Sequence, residues 1–221
     1  MNNYIGLLVA YLYVFMIIGL AEGLRRWRGY SNVFTRKFIH IGVGMLSWLV
    51  PFLFASPWPF VAASLSFALL NIFDWRYGFF SSMASGSRSN LGTVYFPVAA
   101  AAVALVFWNE PPLLVAALMP LTWGDGLASV IGLSYGTTTY TVLGHTRTLQ
   151  GSAGFFVFGG FFTWLALWLM PGSPEITAAA ALAPALVVIT ASTIAEAASP
   201  WGLDNLVIPA VSMMVISLWS F

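Results

Sequence analysis

The sequence predicts an all-α fold: a polytopic transmembrane helical bundle of about seven or eight spans with its N-terminus outside. Three observations carry this. Of 221 residues, 60% are hydrophobic and 7% charged, whereas a water-soluble domain carries about 25% charged residues. The apolar residues form continuous runs rather than alternating, which argues against membrane strands. The basic residues also cluster in particular connections between those runs. This composition excludes a soluble enzyme and a disordered chain. Eight basic against seven acidic residues leave no polybasic footprint for nucleic acid. The absence of cysteine excludes a disulfide framework, a thiol nucleophile and metal–thiolate sites. The length fits one domain over 1–221.

A helix crosses the hydrocarbon core with about 20 apolar residues. Eight runs approach that length: 4–21, 38–54, 58–73, 91–109, 112–133, 153–171, 177–196 and 205–221. The first is expected to be a span rather than a cleaved signal, because Met1-Asn2-Asn3-Tyr4 supplies no positive leader and the basic residues come after the run. The second and third are short and share the turn Ser56-Pro57-Trp58-Pro59, which suggests a hairpin. The fifth contains an aspartate, the sixth follows a polar loop, and the eighth is interrupted by Pro209.

Arg25, Arg26, Arg28, Arg36 and Lys37 lie between the first two runs, so that connection is expected on the cytoplasmic side. Alternation then places Arg76, Arg88 and Arg147 on the same side, while the outer connections carry only Glu110 and Glu175. Glu22, Asp74, Asp125, Glu196, Asp204, His40 and His145 map to that cytoplasmic half as well, as do the long loops 74–90 and 134–152.

Asp125, in Trp123-Gly124-Asp125-Gly126, is the most informative residue. It sits about eight residues from the end of its run, roughly 12 Å deep along a helix. A carboxylate there costs at least about 2.5–3.5 kcal/mol unless it faces protein or water. Pro120, Gly124 and Gly126 around it suggest a helix broken to line a cavity. Gly124, Ala128, Gly132 and Gly136 recur every fourth residue. Such a stripe serves close helix packing or close approach of a nucleotide, and spacing alone does not choose.

The loop 134–152 is polar but nearly uncharged, with Gly136-Thr137-Thr138-Thr139 and then His145-Thr146-Arg147-Thr148-Leu149-Gln150-Gly151-Ser152. Backbone N–H groups entering a helix suit phosphate, and Arg147 adds a charged fork. No Walker A or GxGxxG sequence is present. Arg36, Lys37 and His40 open the second run at spacings that bring them together on a helix. Interfacial snorkelling explains the two cations equally well, but His40 begins a strongly apolar stretch. Glu196, Asp204 and Asn205 flank the turn before the eighth run, and Arg88 and Asn90 precede the fourth. Carboxylates that hold Mg²⁺ beside cations that hold phosphates are the parts phosphoryl or nucleotidyl transfer needs.

The order of motifs TRKFIHIGVG (35–44), GTVYFP (92–97), GDGLASVIGLSYG (124–136), LGHTRTLQGSAGFF (143–156) and AEAASPWGLDNLVIP (195–209) resembles the phytol kinase and dolichol kinase family. The resemblance covers about residues 22–209. It implies a membrane kinase that transfers the γ-phosphoryl group of CTP, with Mg²⁺, to an isoprenoid alcohol such as phytol, geranylgeraniol or a polyprenol. It implies Asp125 as the central metal or catalytic carboxylate, with Glu196 and Asp204 as further metal candidates and His40 and Lys37 beside it. Nucleotide contacts are implied for Arg36, Gly124, Gly132, Gly136, His145, Arg147, Thr148, Gly151 and Ser152. Asp74, Arg88, Asn90, Gln150 and Asn205 are secondary candidates. The expected setting is a prokaryotic cell membrane with the site on its cytoplasmic face. The chain departs from the family where Arg147-Thr148-Leu149-Gln150-Gly151-Ser152 replaces Lys-Thr/Ser-x-Glu-Gly-Ser: Gln150 cannot serve as a carboxylate ligand, so Asp74, Glu196 or Asp204 would have to. Two other readings are a phosphatidate-cytidylyltransferase-like CMP transfer and a small transporter. The first lacks a His-Gly-Gly…Asp-Arg-Asp type signature, and the second lacks an evident inverted repeat.

Overall fold

A computed structural model describes residues 3–78, 91–200 and 202–221. Arg88, Asn90 and most of the 74–90 loop lie outside the described residues. Every apolar run of the sequence is helical. Among the described residues, five helices are long and apolar enough to cross a membrane: α1 (Asn3–Arg28), α4 (Pro57–Tyr77), the composite helix Pro111–Tyr135, α8 (Leu149–Leu169) and α9 (Ala178–Ala198). Two apolar helices are shorter, α5 (Gly92–Phe107) and α10 (Asp204–Ser217). Between α1 and α4 the chain makes α2 (Asn32–Gly44), a 3₁₀ segment (Met45–Trp48) and the single turn α3 (Val50–Leu53).

Local chemistry fixes several helix starts. Ser31, Thr148 and Thr177 cap α2, α8 and α9 by accepting from the backbone N–H groups of Phe34, Gly151 and Ala180, which satisfies donors a helix start leaves unpaired. Pro57 stands at the first position of α4 and Pro111 at that of α6, where a missing N–H costs nothing.

The composite helix forms the centre of the bundle. Its first part, α6 (Pro111–Met119), is buried at every residue from Pro112 to Met119, as expected of a helix that is apolar on all sides. It packs against α5, α8 and α10. The outward faces of the surrounding helices are apolar: Leu8, Leu12 and Phe15 of α1, Phe161 of α8, and Leu182 and Leu186 of α9 are all exposed. A belt of that kind suits lipid, and the chain is a membrane protein.

Three sequence expectations change. The fifth run is not a broken helix. It stays helical through Pro120–Asp125 by widening into a π turn, after which α7 (Gly126–Tyr135) resumes. The second and third runs share the expected proline turn but do not pack as a hairpin; α4 lies along α5, and α2 lies against α1 and α7. The loop 134–152 is also more ordered than its composition suggests. It contains the antiparallel ribbon β1 (Thr139–Val142) and β2 (His145–Thr148), paired from Thr139–Thr148 to Val142–His145. Its two-residue turn, Leu143-Gly144, has both residues at positive φ, 49° and 80°, the conformation that matches the twist of paired strands.

Candidate active site

The π turn positions the central carboxylate. A π turn accommodates one residue more than an α turn and is often found at functional sites. Here it aims Asp125 at α2, where Lys37 Nζ lies 2.7 Å and His40 Nε2 3.5 Å from Asp125 Oδ2. His40 Nε2 is 2.8 Å from the carbonyl oxygen of Leu121, inside the same turn. Because a carbonyl only accepts, Nε2 must carry the proton. His40 therefore pins the π turn, and its ring meets Phe96 edge-on at 4.8 Å. Two glycines permit this approach. A Cβ on Gly126 would press on Ile41 and one on Gly44 would press on Thr122, so any larger residue would wedge α2 away from Asp125.

The ribbon supplies the third cation. Arg147 Nε lies 3.1 Å from Glu196 Oε1, and its Nη2 donates to the carbonyls of Glu196 (3.3 Å) and Ser199 (3.0 Å). Asp204 Oδ2 is 4.0 Å from the same Nη2. Arg147 thus ties the ribbon to the C-terminal end of α9, where carbonyls and the helix dipole favour a cation. The Nε atoms of Arg147 and Arg36 are both buried without a hydrogen-bond partner, but where Arg147 Nη2 donates to two carbonyls, no hydrogen bond to the Arg36 guanidinium occurs among the described residues.

All these groups meet one cavity of about 380 Å³. Arg36, Lys37, His40, Asp125, Arg147, Glu196, Asp204 and Asn205 line its polar end. A smaller cavity of about 280 Å³ adjoins Arg147 and Glu196 and is lined by Gly132, Thr146, Thr148, Gly151 and Ser152. Gly124 and Gly136 instead accommodate neighbours: a Cβ would meet Phe155 on the first and Thr148 on the second. His145 sits at the ribbon turn and lines neither cavity. Asp74, buried near the end of α4, lines neither as well.

Gln150 has a local task. Its Oε1 accepts from the backbone N–H groups of Thr137 (3.2 Å) and Thr138 (3.4 Å), and its Nε2 donates to Thr137 Oγ1 (2.7 Å). A glutamate can keep both backbone bonds, with the Thr137 hydroxyl turning to donate. Gln150→Glu should therefore change kcat/KM by less than about threefold, as an ordinary surface exchange does, and leave the divalent-cation titration unmoved. A shifted titration would put this side chain at the metal.

Some of the site gave no signal that was read from the sequence. Asn71 of α4 lines the cavity and donates to the carbonyl of Thr93 at 2.7 Å. Ser129, one turn beyond Asp125, lines it too. A lone asparagine in the apolar run 58–73 carries the same kind of information that singled out Asp125.

The donors fit Mg²⁺ only in part. Among the described residues, no group of three or more His, Asp or Glu could hold a metal unaided. Mg²⁺, however, ordinarily takes one or two carboxylates and completes its shell with phosphate oxygens and water. Asp125, Glu196 and Asp204 facing one cavity suit an ion that arrives with a polyphosphate.

No family model matches the chain, and no solved structure matches it. Three relatives do. The chain is 26% identical over 209 residues to the phytol kinase of Synechocystis sp., spanning 94% of this chain and 88% of that protein. It is 26% identical to a probable chloroplastic phytol kinase of Triticum aestivum, over 92% of this chain and 73% of that one. It is 33% identical to the CTP-dependent diacylglycerol kinase 1 of Schizosaccharomyces pombe, over 58% of this chain and 59% of that one. Together with the order of the motifs, these similarities support a likeness to the phytol and polyprenol kinases.

Proposed function

We propose that the protein phosphorylates a single-chain isoprenoid alcohol at the cytoplasmic face of the membrane, with CTP as donor. One observation carries the reading: a single cavity joins three carboxylates and three cations to an apolar arm formed by α1, α2, α4 and α5. A nucleotide would enter at the charged end and an alcohol would lie along the arm, its hydroxyl directed at Asp125. The CTP-dependent diacylglycerol kinase among the relatives supports the donor.

Each residue's part follows from its partners. Arg36, with an unsatisfied buried Nε, is free to receive phosphate oxygens. Lys37 shares its charge between Asp125 and the incoming phosphates. His40 fixes the turn that aims Asp125. Asp125, with Glu196 or Asp204, would hold Mg²⁺, which neutralises charge on the β- and γ-phosphates when bound. In a loose phosphoryl-transfer transition state, position and electrostatics dominate, so a strong base is not required. Gly132, Thr148, Gly151 and Ser152 line the adjoining cavity, in reach of the remainder of the nucleotide.

The deciding experiment is an assay of purified protein with each nucleoside triphosphate and a panel of phytol, geranylgeraniol, longer polyprenols and diacylglycerol. A phosphorylated isoprenoid formed with CTP supports the reading. A CMP-bearing lipid would make the protein a cytidylyltransferase, and the absence of any covalent product would exclude both.

The topology that goes with this reading has seven or eight spans and places the N-terminus outside, with 22–37, 74–90, 134–152 and 197–204 cytoplasmic. The segregation of the basic residues supports it. In this cysteine-free chain, Tyr30→Cys and Thr138→Cys should react with an impermeant maleimide only after the cytoplasmic face is opened, and Ser173→Cys on intact cells. Labelling of Tyr30→Cys and Thr138→Cys from opposite sides would overturn it.

A further inference from the structure

We propose that the closed end of the apolar arm, where Ala10 of α1 stands near Phe60 of α4, measures the alcohol's chain length. The inference rests on the alcohol-phosphorylation reading. The helices run side by side with fixed register: the backbone N–H of Ala55 donates to Asn3 Oδ1 at 2.9 Å, and the Tyr11 and Ser66 hydroxyls share a hydrogen bond of 2.6 Å. Ile18 and Asn71 therefore flank the arm near its polar end, Val14 and Phe67 flank its middle, and Ala10 and Phe60 stand at its far end.

The far end is walled. Ala10 is 2% exposed, Leu46 6%, Phe60 7% and Leu118 3%. The flank toward α4 is closed by the rings of Tyr11 and Phe15, at 5.0 and 6.0 Å from that of Phe67. A chain inside cannot slip out sideways between α1 and α4 without parting these contacts. From Asn71 to Phe60 the wall is about 16 Å long at 1.5 Å per residue. An extended single-bonded chain advances about 1.2 Å per bond, so the arm takes about thirteen bonds, or roughly three isoprene units. Ala10 has a small side chain on the end wall, so bulk added there shortens the space available without touching a charged group.

The test compares kcat/KM for geraniol, farnesol, geranylgeraniol and a longer polyprenol, using full-length protein in vesicles. Each methylene kept out of an apolar site costs about fourfold. Ala10→Phe should therefore lower the farnesol-to-geraniol ratio by about tenfold or more. Val14→Phe, nearer the polar end, should lower kcat/KM for farnesol further and also penalise geraniol. Phe60→Ala, which removes atoms, should raise the ratio in favour of the longer alcohols and is the deciding variant if either enlargement fails to fold. A length profile unchanged in Phe60→Ala and in the folded enlargements overturns the ruler and leaves the kinase reading standing. A wild-type protein that phosphorylates none of the alcohols overturns both.

Discussion

Asp125→Asn should reduce turnover by about 10³-fold or more, the scale of losing a preorganised charge at a phosphoryl-transfer site. It should also lower thermal stability. Lys37 is largely buried, and its Nζ is 2.7 Å from the carboxylate that disappears. Removing one partner of a buried pair leaves the other charge uncompensated, whereas replacing both is often neutral. Asp125→Asn combined with Lys37→Met should therefore recover most of the lost melting temperature while remaining inactive. Turnover recovering along with stability would show that Asp125 serves the fold alone. Activity persisting in the single variant would move the catalytic carboxylate to Glu196 or Asp204.

Arg36→Gln should raise the nucleotide KM by about 10- to 100-fold, the range expected for losing a charged hydrogen bond, and should not lower the melting temperature. The two outcomes share one cause. The Nε of Arg36 is buried and unsatisfied in the ligand-free protein, so the residue costs stability until an acceptor arrives. Arg147 provides the contrast. Its Nη2 already donates to the carbonyls of Glu196 and Ser199, so its loss should unsettle the ribbon and the end of α9 as well as any ligand. A fall in stability on Arg36→Gln, with KM unchanged, would exclude Arg36 as the phosphate ligand.

The helices were legible because burial in lipid demands long apolar runs, and those runs are present in the composition. Asp125 was legible for the same reason in reverse: a carboxylate at that depth needs a compensating partner. Its partners, Lys37 and His40, stand out as the polar residues opening an apolar helix. The sequence contains the ribbon's β-branched residues, Thr139, Thr141, Val142, Thr146 and Thr148, but its turn is Leu143-Gly144. Leucine seldom adopts positive φ, so the usual Asn-Gly signal was missing. The π turn has no distinct signature of its own, because Pro120, Gly124 and Gly126 are residues that also interrupt helices. The commitment of Arg147 to the end of α9 depends on a fold-level meeting of segments 49 residues apart, and no local pattern encodes it. The apolar arm was invisible too, since every helix offers apolar faces and only their packing shows which ones enclose space.

The π turn at Pro120–Asp125 also makes residue number matter in a helix whose composition would tolerate almost any apolar exchange. Each residue of an α-helix advances the azimuth by about 100°. One more residue inserted between Pro120 and Thr122, where the wide turn already holds its extra residue, would swing Asp125 relative to the preceding α6 by about that angle. Hydropathy would barely change and insertion into the bilayer would proceed, yet the carboxylate would face away from Lys37. A residue removed beyond Asp125 would restore the phase of α7 but not of Asp125. For this stretch, drift by substitution is cheap and drift by insertion is not.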